Sequence, residues 1–215
     1  MRVMRTSFIT VVLAATMPMA AALAQQPQKV ADPQSGLGPD GAPVPVSAVI
    51  ELFTSQGCSA CPPADQLLES YANRRDVMAL SLPVDYWDYL GWEDTLASKK
   101  NSERQRAYAK SRGDGAVYTP QAVVNGAGHA VGSDRSQIER QIAKTAMAFA
   151  QKHVPMRFWR TAGMIIVEIA ARDANTESSQ ATIWLAPVED VVEVEIRRGE
   201  NLGKKLKYYN VVHEL

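Results

Sequence analysis

A short apolar run in the first third of the chain is followed by two cysteines and two prolines. The run Val49–Phe53 is rich in β-branched and aromatic residues, which predicts a buried strand. Pro62 and Pro63 directly follow Cys61, and proline is tolerated in a helix only in its first turn. The sequence therefore predicts a strand, a turn that carries Cys58 and Cys61, and a helix that begins near Cys61.

The remaining patterns extend this unit into an α/β domain. A second apolar run, Val77–Val84, predicts a strand after the helix and so completes a β–α–β unit. Further patterns predict a helix, a hairpin with an Asn-Gly turn and another helix, at residues 98–112, 121–131 and 134–151. After Pro155 the sequence predicts a β-rich C-terminal extension, either a separate small sandwich or an extension of the first sheet. Its predicted strands lie at residues 164–170, 181–186, 191–196 and 207–212.

The N-terminal segment has the pattern of an export signal. Arg2 and Arg5 precede an apolar stretch that is shorter than the roughly 20 residues of a membrane span. Ala22 and Ala24 are small residues placed for cleavage after Ala24. We therefore expect a signal peptide at 1–24, a Pro- and Gly-rich disordered tether at 25–47, a first domain at 48–153 and the extension at 154–215. The expected location is periplasmic or secreted, with no stable membrane span after cleavage.

Charge and cysteine content narrow the functional classes. Lys plus Arg and Asp plus Glu both number 23, so the chain has no net positive charge that would favour a nucleic-acid partner. No cofactor is predicted. The chain has two cysteines, which an exported protein keeps in an oxidising compartment. A disulfide between Cys58 and Cys61 closes a loop too small to stabilise the fold much. The pair is therefore better suited to a reactive role than to a structural one.

The position of the cysteines predicts thiol–disulfide exchange. The amino end of a helix carries partial positive charge, which favours a thiolate, so Cys58 is the expected attacking thiol and Cys61 the resolving one. A zinc site needs about four ligands, and its others would come from His129, His153 or His213, which are not paired in the sequence. No histidine directly follows Cys61, which excludes the usual haem attachment motif. We assign no metal site, although a metal-handling role of the two thiols stays open.

The order of these elements resembles thioredoxin over about residues 48–152. Thr119 and Pro120 directly precede the predicted hairpin, and the resemblance implies a cis proline that faces the cysteines, with Thr119 presenting its backbone to a bound peptide. The resemblance also implies a buried acidic residue that exchanges a proton with the second cysteine. Glu51 is the candidate, because a lone carboxylate on a buried strand needs a partner or a function.

The strings VIELFTSQGCSACPPAD, PVDYWDYLGW and VYTPQAVVNG are similar to those of a family of secreted bacterial proteins catalogued as a domain of unknown function. That resemblance implies a thioredoxin-like fold and export, without a substrate. It extends over nearly all of the chain from Val49 onward.

An aromatic segment follows the second predicted strand. We expect Tyr86, Trp87, Asp88 and Trp92 to form one wall of the site, because ligands bind where parallel strands end. The alternative is that these rings fill the contact between the first domain and the extension. Two charged residues are given ordinary roles: Arg104 is expected on a solvated helix face, and Asp65 complements the dipole of the first helix.

Three functions remain open at this stage. The first is an exported thiol–disulfide oxidoreductase that acts on protein or small-molecule thiols and disulfides of the cell envelope. The second is a non-catalytic thioredoxin-like binding module whose disulfide stays closed. The third is a carrier of copper or another soft metal that uses both thiolates.

Overall fold

The computed structural model describes residues 45–152, 154, 156–169 and 182–213 of the 215-residue chain. The predicted signal peptide, and the predicted tether up to residue 44, lie outside the described residues. The helices are α1 (Pro62–Ala72), α2 (Lys99–Arg112) and α3 (Arg135–Lys152), and a short 3-10 turn covers Asp88–Leu90. The strands are β1 (Ala48–Thr54), β2 (Val77–Pro83), β3 (Gln121–Val124), β4 (Gly128–Val131), β5 (Met156–Thr161), β6 (Met164–Ile169), β7 (Val188–Glu195) and β8 (Lys205–Val212).

The main sheet has six strands in the order β4-β3-β1-β2-β8-β7. β1 and β2 are parallel and joined through α1, whereas β3 is antiparallel to β1 and forms a hairpin with β4. The chain therefore has a thioredoxin-like α/β fold with extra strands. Since β1 lies inside the sheet, the segment that follows it leaves from the middle of the fold.

The side chains of β1 alternate between the two faces of the sheet. Ile50 and Leu52 pack in a buried cluster with residues of α1 and α3. Phe53 packs on the opposite face in a second cluster that also includes Tyr108 of α2. Each fully buried side chain of this size stabilises the fold by about 1.5–3 kcal/mol. The alternation decides which residues of β1 face the helix that carries the cysteines.

The C-terminal region divides between two sheets. β8 pairs with β2 in parallel, and β7 forms the outer edge, so these two strands extend the first sheet. β5 and β6 form a separate two-stranded hairpin. One strand prediction is wrong, because residues 182–186 are not a strand, and β5 was not predicted. Alternation of apolar residues does not reveal which runs find a neighbouring strand.

Local signals explain how the elements begin and end. Pro62 and Pro63 occupy the first positions of α1, where the backbone N–H they lack has no helical partner. Asp134 caps α3 by accepting a hydrogen bond from the Gln137 amide at 2.9 Å. Asn125 and Gly126 both have positive φ, 52° and 65°, which the tight β3–β4 turn requires. No helix within the described part of the chain is long and apolar enough to cross a membrane.

Candidate functional site

Cys58 and Cys61 form a disulfide at the start of α1, with their Cα atoms 5.4 Å apart. Cys61 is the residue before the first helical position, and its carbonyl accepts the amides of Ala64 and Asp65 at 2.8 and 3.1 Å. The exposed fractions of Cys58 and Cys61 are 2% and 0%, whereas Ser59 and Ala60 between them are exposed. The two cysteines are therefore almost inaccessible to solvent, and the exposed part of their loop is Ser59 and Ala60.

Trp87 lies between the cysteine loop and the loop that contains Pro120. Its indole Nε1 donates to the Thr119 hydroxyl at 2.7 Å. Gly57, directly before Cys58, packs closely against Trp87, since an added Cβ would lie 3.0 Å from the Trp87 Cβ and 3.3 Å from its carbonyl oxygen. The Thr119–Pro120 bond is cis, as expected, and Pro120 is buried. The structure thus brings Trp87 to the cysteine loop, and Trp87 in turn binds Thr119.

The other aromatic residues of the segment have different positions. Tyr86 packs in the cluster on the α2 face, and its hydroxyl donates to Gln105. Trp92 packs against the cluster around β7 and β8, and its Nε1 donates to the Gln56 side chain at 2.7 Å. The Asp88 carboxylate accepts the amide of Asp94 at 3.1 Å. Trp87 therefore packs against the cysteine loop, while Tyr86 and Trp92 contribute to packing, and a role of the segment as a wall of the site stays a prediction.

The backbone before Cys58 is held by a buried carboxyl. Asp94 accepts the Gln56 amide at 2.7 Å and the Leu96 amide at 2.9 Å. Burial raises the pKa of Asp94 to about 6 in spite of these hydrogen bonds, which act in the opposite direction. The carboxyl is therefore mostly ionised at neutral pH, and it fixes the turn that leads from β1 to the cysteines.

Asn201, which the sequence analysis missed, holds the same loop from the C-terminal region. Its side-chain amide donates to the carbonyls of Gln56 and Cys58, both at 2.9 Å, and its own oxygen accepts from Lys204 Nζ at 2.8 Å. Asn201 is completely buried. It is 143 residues away from Cys58 in the chain, so no local pattern signals the contact.

Glu51 is engaged elsewhere. Its carboxylate binds Arg104 of α2 through two hydrogen bonds of 2.6 and 2.9 Å and accepts from the Tyr108 hydroxyl at 3.0 Å. Glu51 lies on the face of β1 that packs against α2, whereas α1 covers the other face. The expectation that Arg104 lies on a solvated helix face is wrong, because Arg104 neutralises this buried carboxylate.

Asp65 has the environment that the sequence analysis assigned to Glu51. It lies one helical turn after Cys61, where residues four apart share a face, and it is only 3% exposed. Its Oδ1 accepts from the Thr54 hydroxyl at 2.7 Å, while its Oδ2 has no partner in the structure. Burial raises the pKa of Asp65 to about 8, so the carboxyl is protonated at neutral pH. A neutral carboxyl has no charge to complement the helix dipole, so the role that the sequence analysis gave to Asp65 is wrong.

No group of three or more His, Cys, Asp or Glu side chains within the described ranges is arranged to hold a metal ion. Of the histidines considered as ligands, His129 instead lies between Tyr118 and Asp114, at 2.9 and 3.3 Å. His213 contacts Glu189 at 2.9 Å, and His153 lies outside the described residues. A carrier that uses the two thiolates alone is a separate case, which requires the reduced protein.

The fold and this site define a thioredoxin-like α/β protein with a cysteine pair at a helix N-terminus. The chain belongs to the family of proteins of unknown function DUF1223, whose model matches residues 49–215. It is similar to the crystal structure of the protein AGR_C_4864 from Agrobacterium tumefaciens, at 35% sequence identity and a TM-score of 0.64. That match covers 79% of this chain and 71% of the other. No curated protein matches the chain.

Proposed function

We propose that this protein is an exported thiol–disulfide oxidoreductase of the thioredoxin superfamily. The observation that carries the proposal is the Cys58–Cys61 disulfide at the start of α1, in a loop that packs against Trp87. Residues 1–24 are the proposed signal peptide. Its partners are protein or small-molecule thiols and disulfides of the cell envelope.

The exchange requires one sulfur that a partner attacks and one resolving sulfur, and we assign the attack to Cys58, which is 2% exposed whereas Cys61 is 0% exposed. A partner thiolate attacks Cys58 Sγ, the Cys58–Cys61 bond breaks, and Cys61 leaves as a thiolate. A second partner thiolate then attacks the mixed disulfide at the partner's sulfur. The partner forms its own disulfide, Cys58 leaves as a thiolate, and the protein keeps both electrons as a dithiol. The reverse sequence reduces a partner disulfide.

Asp65 is the group we assign to proton transfer. It is a protonated carboxyl on the same helical face as Cys61, and its Oδ2 has no competing partner. When Cys61 leaves, Asp65 donates its proton to the thiolate and is reprotonated from solvent. Glu51 is less suited to this role, since its charge is satisfied by Arg104 and Tyr108 on the other face of the sheet.

Trapping the mixed disulfide tests the proposal. In the Cys61→Ser variant the resolving thiol is absent, so a covalent adduct should accumulate when the Cys58 thiolate attacks a disulfide of scrambled, oxidised ribonuclease or of insulin and releases one substrate thiolate. The Cys58→Ser variant, which keeps one thiol, is the matched control and should form little adduct. Equal trapping by both variants, or none by Cys61→Ser, would contradict the proposal.

Burial of the disulfide favours a second candidate, the binding module. Cys58 and Cys61 are both nearly inaccessible, as a permanently closed disulfide would be. In that case the protein would bind a partner through Trp87 and neighbouring residues with no electron transfer. A wild-type protein that catalyses neither insulin reduction nor ribonuclease oxidation, yet binds an envelope protein equally well with both cysteines changed to serine, would favour this candidate.

A further inference from the structure

The turn between β7 and β8 is built to place one side chain against the cysteine loop. Gly199 and Gly203 have positive φ, 74° and 80°, which allows the chain to reverse sharply. The Gly203 amide donates to the Ile196 carbonyl at 2.8 Å, and the Lys204 amide donates to the Asn201 carbonyl at 3.0 Å. These bonds fix Asn201 in a completely buried position.

The turn also packs against the aromatic segment, which limits its freedom. A Cβ on Gly199 would lie 3.3 Å from the Trp92 Cβ and 3.7 Å from the Leu90 carbonyl oxygen. Trp92 in turn donates to the Gln56 side chain. The turn and the aromatic segment therefore hold Gln56, two residues before Cys58, from two directions.

Asn201 uses its hydrogen-bonding groups in a directed way. An amide side chain has two N–H donors, and here they bind the carbonyls of Gln56 and Cys58. Lys204 Nζ binds the amide oxygen at 2.8 Å. A cation at the oxygen polarises the amide, so its N–H groups become stronger donors. The Lys204 ammonium therefore strengthens the hydrogen bond that Asn201 donates to the Cys58 carbonyl.

This arrangement acts on the charged form of Cys58. A carbonyl oxygen next to a thiolate repels it, and the Cys58 carbonyl is compensated by Asn201 and by the Cys61 amide at 3.2 Å. Two carboxyls face the same region: Asp94, which binds the Gln56 amide, and the protonated Asp65. Asp94 opposes a negative charge on the sulfur. The Lys204 ammonium, acting through Asn201, has the opposite effect and favours the negative charge on the sulfur.

We infer that Lys204 and Asn201 are positioning residues that stabilise the reduced form of the cysteine pair, so that the β7–β8 turn is part of the redox centre. The inference rests on the proposed function for its biological meaning. The claim that Cys58 has a more stable thiolate concerns the reduced protein, whether or not that protein exchanges disulfides. It assigns a role in the chemistry to the C-terminal region, which lies far from the cysteines in sequence.

The test compares Lys204→Met with Lys207→Met. Both variants remove one ammonium from the same part of the chain, but Lys207 binds Glu193 rather than Asn201. The equilibrium measured is the reaction of the protein disulfide with two molecules of reduced glutathione, which gives the protein dithiol and one glutathione disulfide. Lys204→Met should lower the equilibrium constant for reduction about threefold, or about 14 mV. Lys207→Met should leave it unchanged. Equal effects of the two variants would overturn the inference.

A second measurement does not depend on exchange activity. The protein is reduced chemically, and alkylation of Cys58 is followed across pH by peptide mapping. The Lys204→Met and Asn201→Ala variants should shift the midpoint upward, because the thiolate loses its stabilisation, while Lys207→Met should match the wild type. Unshifted midpoints would refute the inference even if exchange is active. Shifted midpoints in a protein that never exchanges with glutathione would contradict the proposed function alone.

Discussion

The buried carboxyl of Asp65 makes a quantitative prediction about stability and pH. Its pKa is raised by burial from 3.8 to about 8, so the folded state holds a proton that the unfolded state has already lost. The contribution of this group to the free energy of unfolding is fully present below pH 3.8 and is lost as pH rises toward 8. Asparagine at this position has a similar shape and no titration. Asp65→Asn should therefore become more stable than wild type as pH rises.

The expected size follows from the two pKa values. One pKa unit corresponds to about 1.4 kcal/mol, so the wild-type carboxyl loses about 4 kcal/mol between pH 4.5 and pH 8. The Thr54 hydroxyl still has a carbonyl oxygen to bind in the asparagine variant, which keeps the local hydrogen bond. The difference in unfolding free energy between Asp65→Asn and wild type should grow by about that amount over the same range.

Urea unfolding with the disulfide intact, measured at several pH values from 4.5 to 8, gives this difference directly. Asp190→Asn, which removes the same charge from an exposed position on β7, is the control and should run parallel to wild type. Parallel curves for Asp65→Asn and wild type would show that Asp65 is ionised in the folded protein. They would also remove it from the proposed proton transfer.

Two other contacts give predictions. Trp87→Phe removes the donor to Thr119 and should cost about 1 kcal/mol of stability. The same variant should slow exchange with insulin more than exchange with hydroxyethyl disulfide, and an equal slowing of both would place Trp87 outside the partner surface. Arg104→Met leaves the buried Glu51 carboxylate without its cation and should cost about 2–3 kcal/mol in urea unfolding. Lys99→Met, which breaks an exposed ion pair, should cost less than about 1 kcal/mol; a similar loss in both variants would contradict the role given to Arg104.

Much of the first domain could be predicted from the sequence because its signals are local. The apolar run of β1, the prolines at the start of α1 and the Asn125–Gly126 turn act through neighbouring residues, whose conformational preferences do not depend on the rest of the chain. The helical spacing of apolar residues likewise indicated α3. Because the prolines follow Cys61 directly, the position of the cysteines at a helix N-terminus could also be predicted.

The assignment of buried charges could not be made in this way. Both Glu51 and Asp65 lie near the cysteines in sequence, and a pattern of residues does not reveal which carboxylate finds a cation. The structure pairs Glu51 with Arg104, 53 residues away, and leaves Asp65 with a hydroxyl as its partner. The energy of a buried charge depends on what surrounds it in three dimensions, and only the structure reveals that Glu51 has a cation as its partner whereas Asp65 has none.

By itself the sequence determined the cysteine motif, the start of its helix and the hairpin that follows the cis proline, because these depend on backbone preferences over a few residues. The pairing of β8 with β2, and the position of β7 at the edge of the sheet, became visible only in the folded chain. That pairing brings Asn201 against the carbonyl of Cys58. Strand pairing across long separations is set by packing and loop closure over the whole chain, and the composition of the paired segments does not record it.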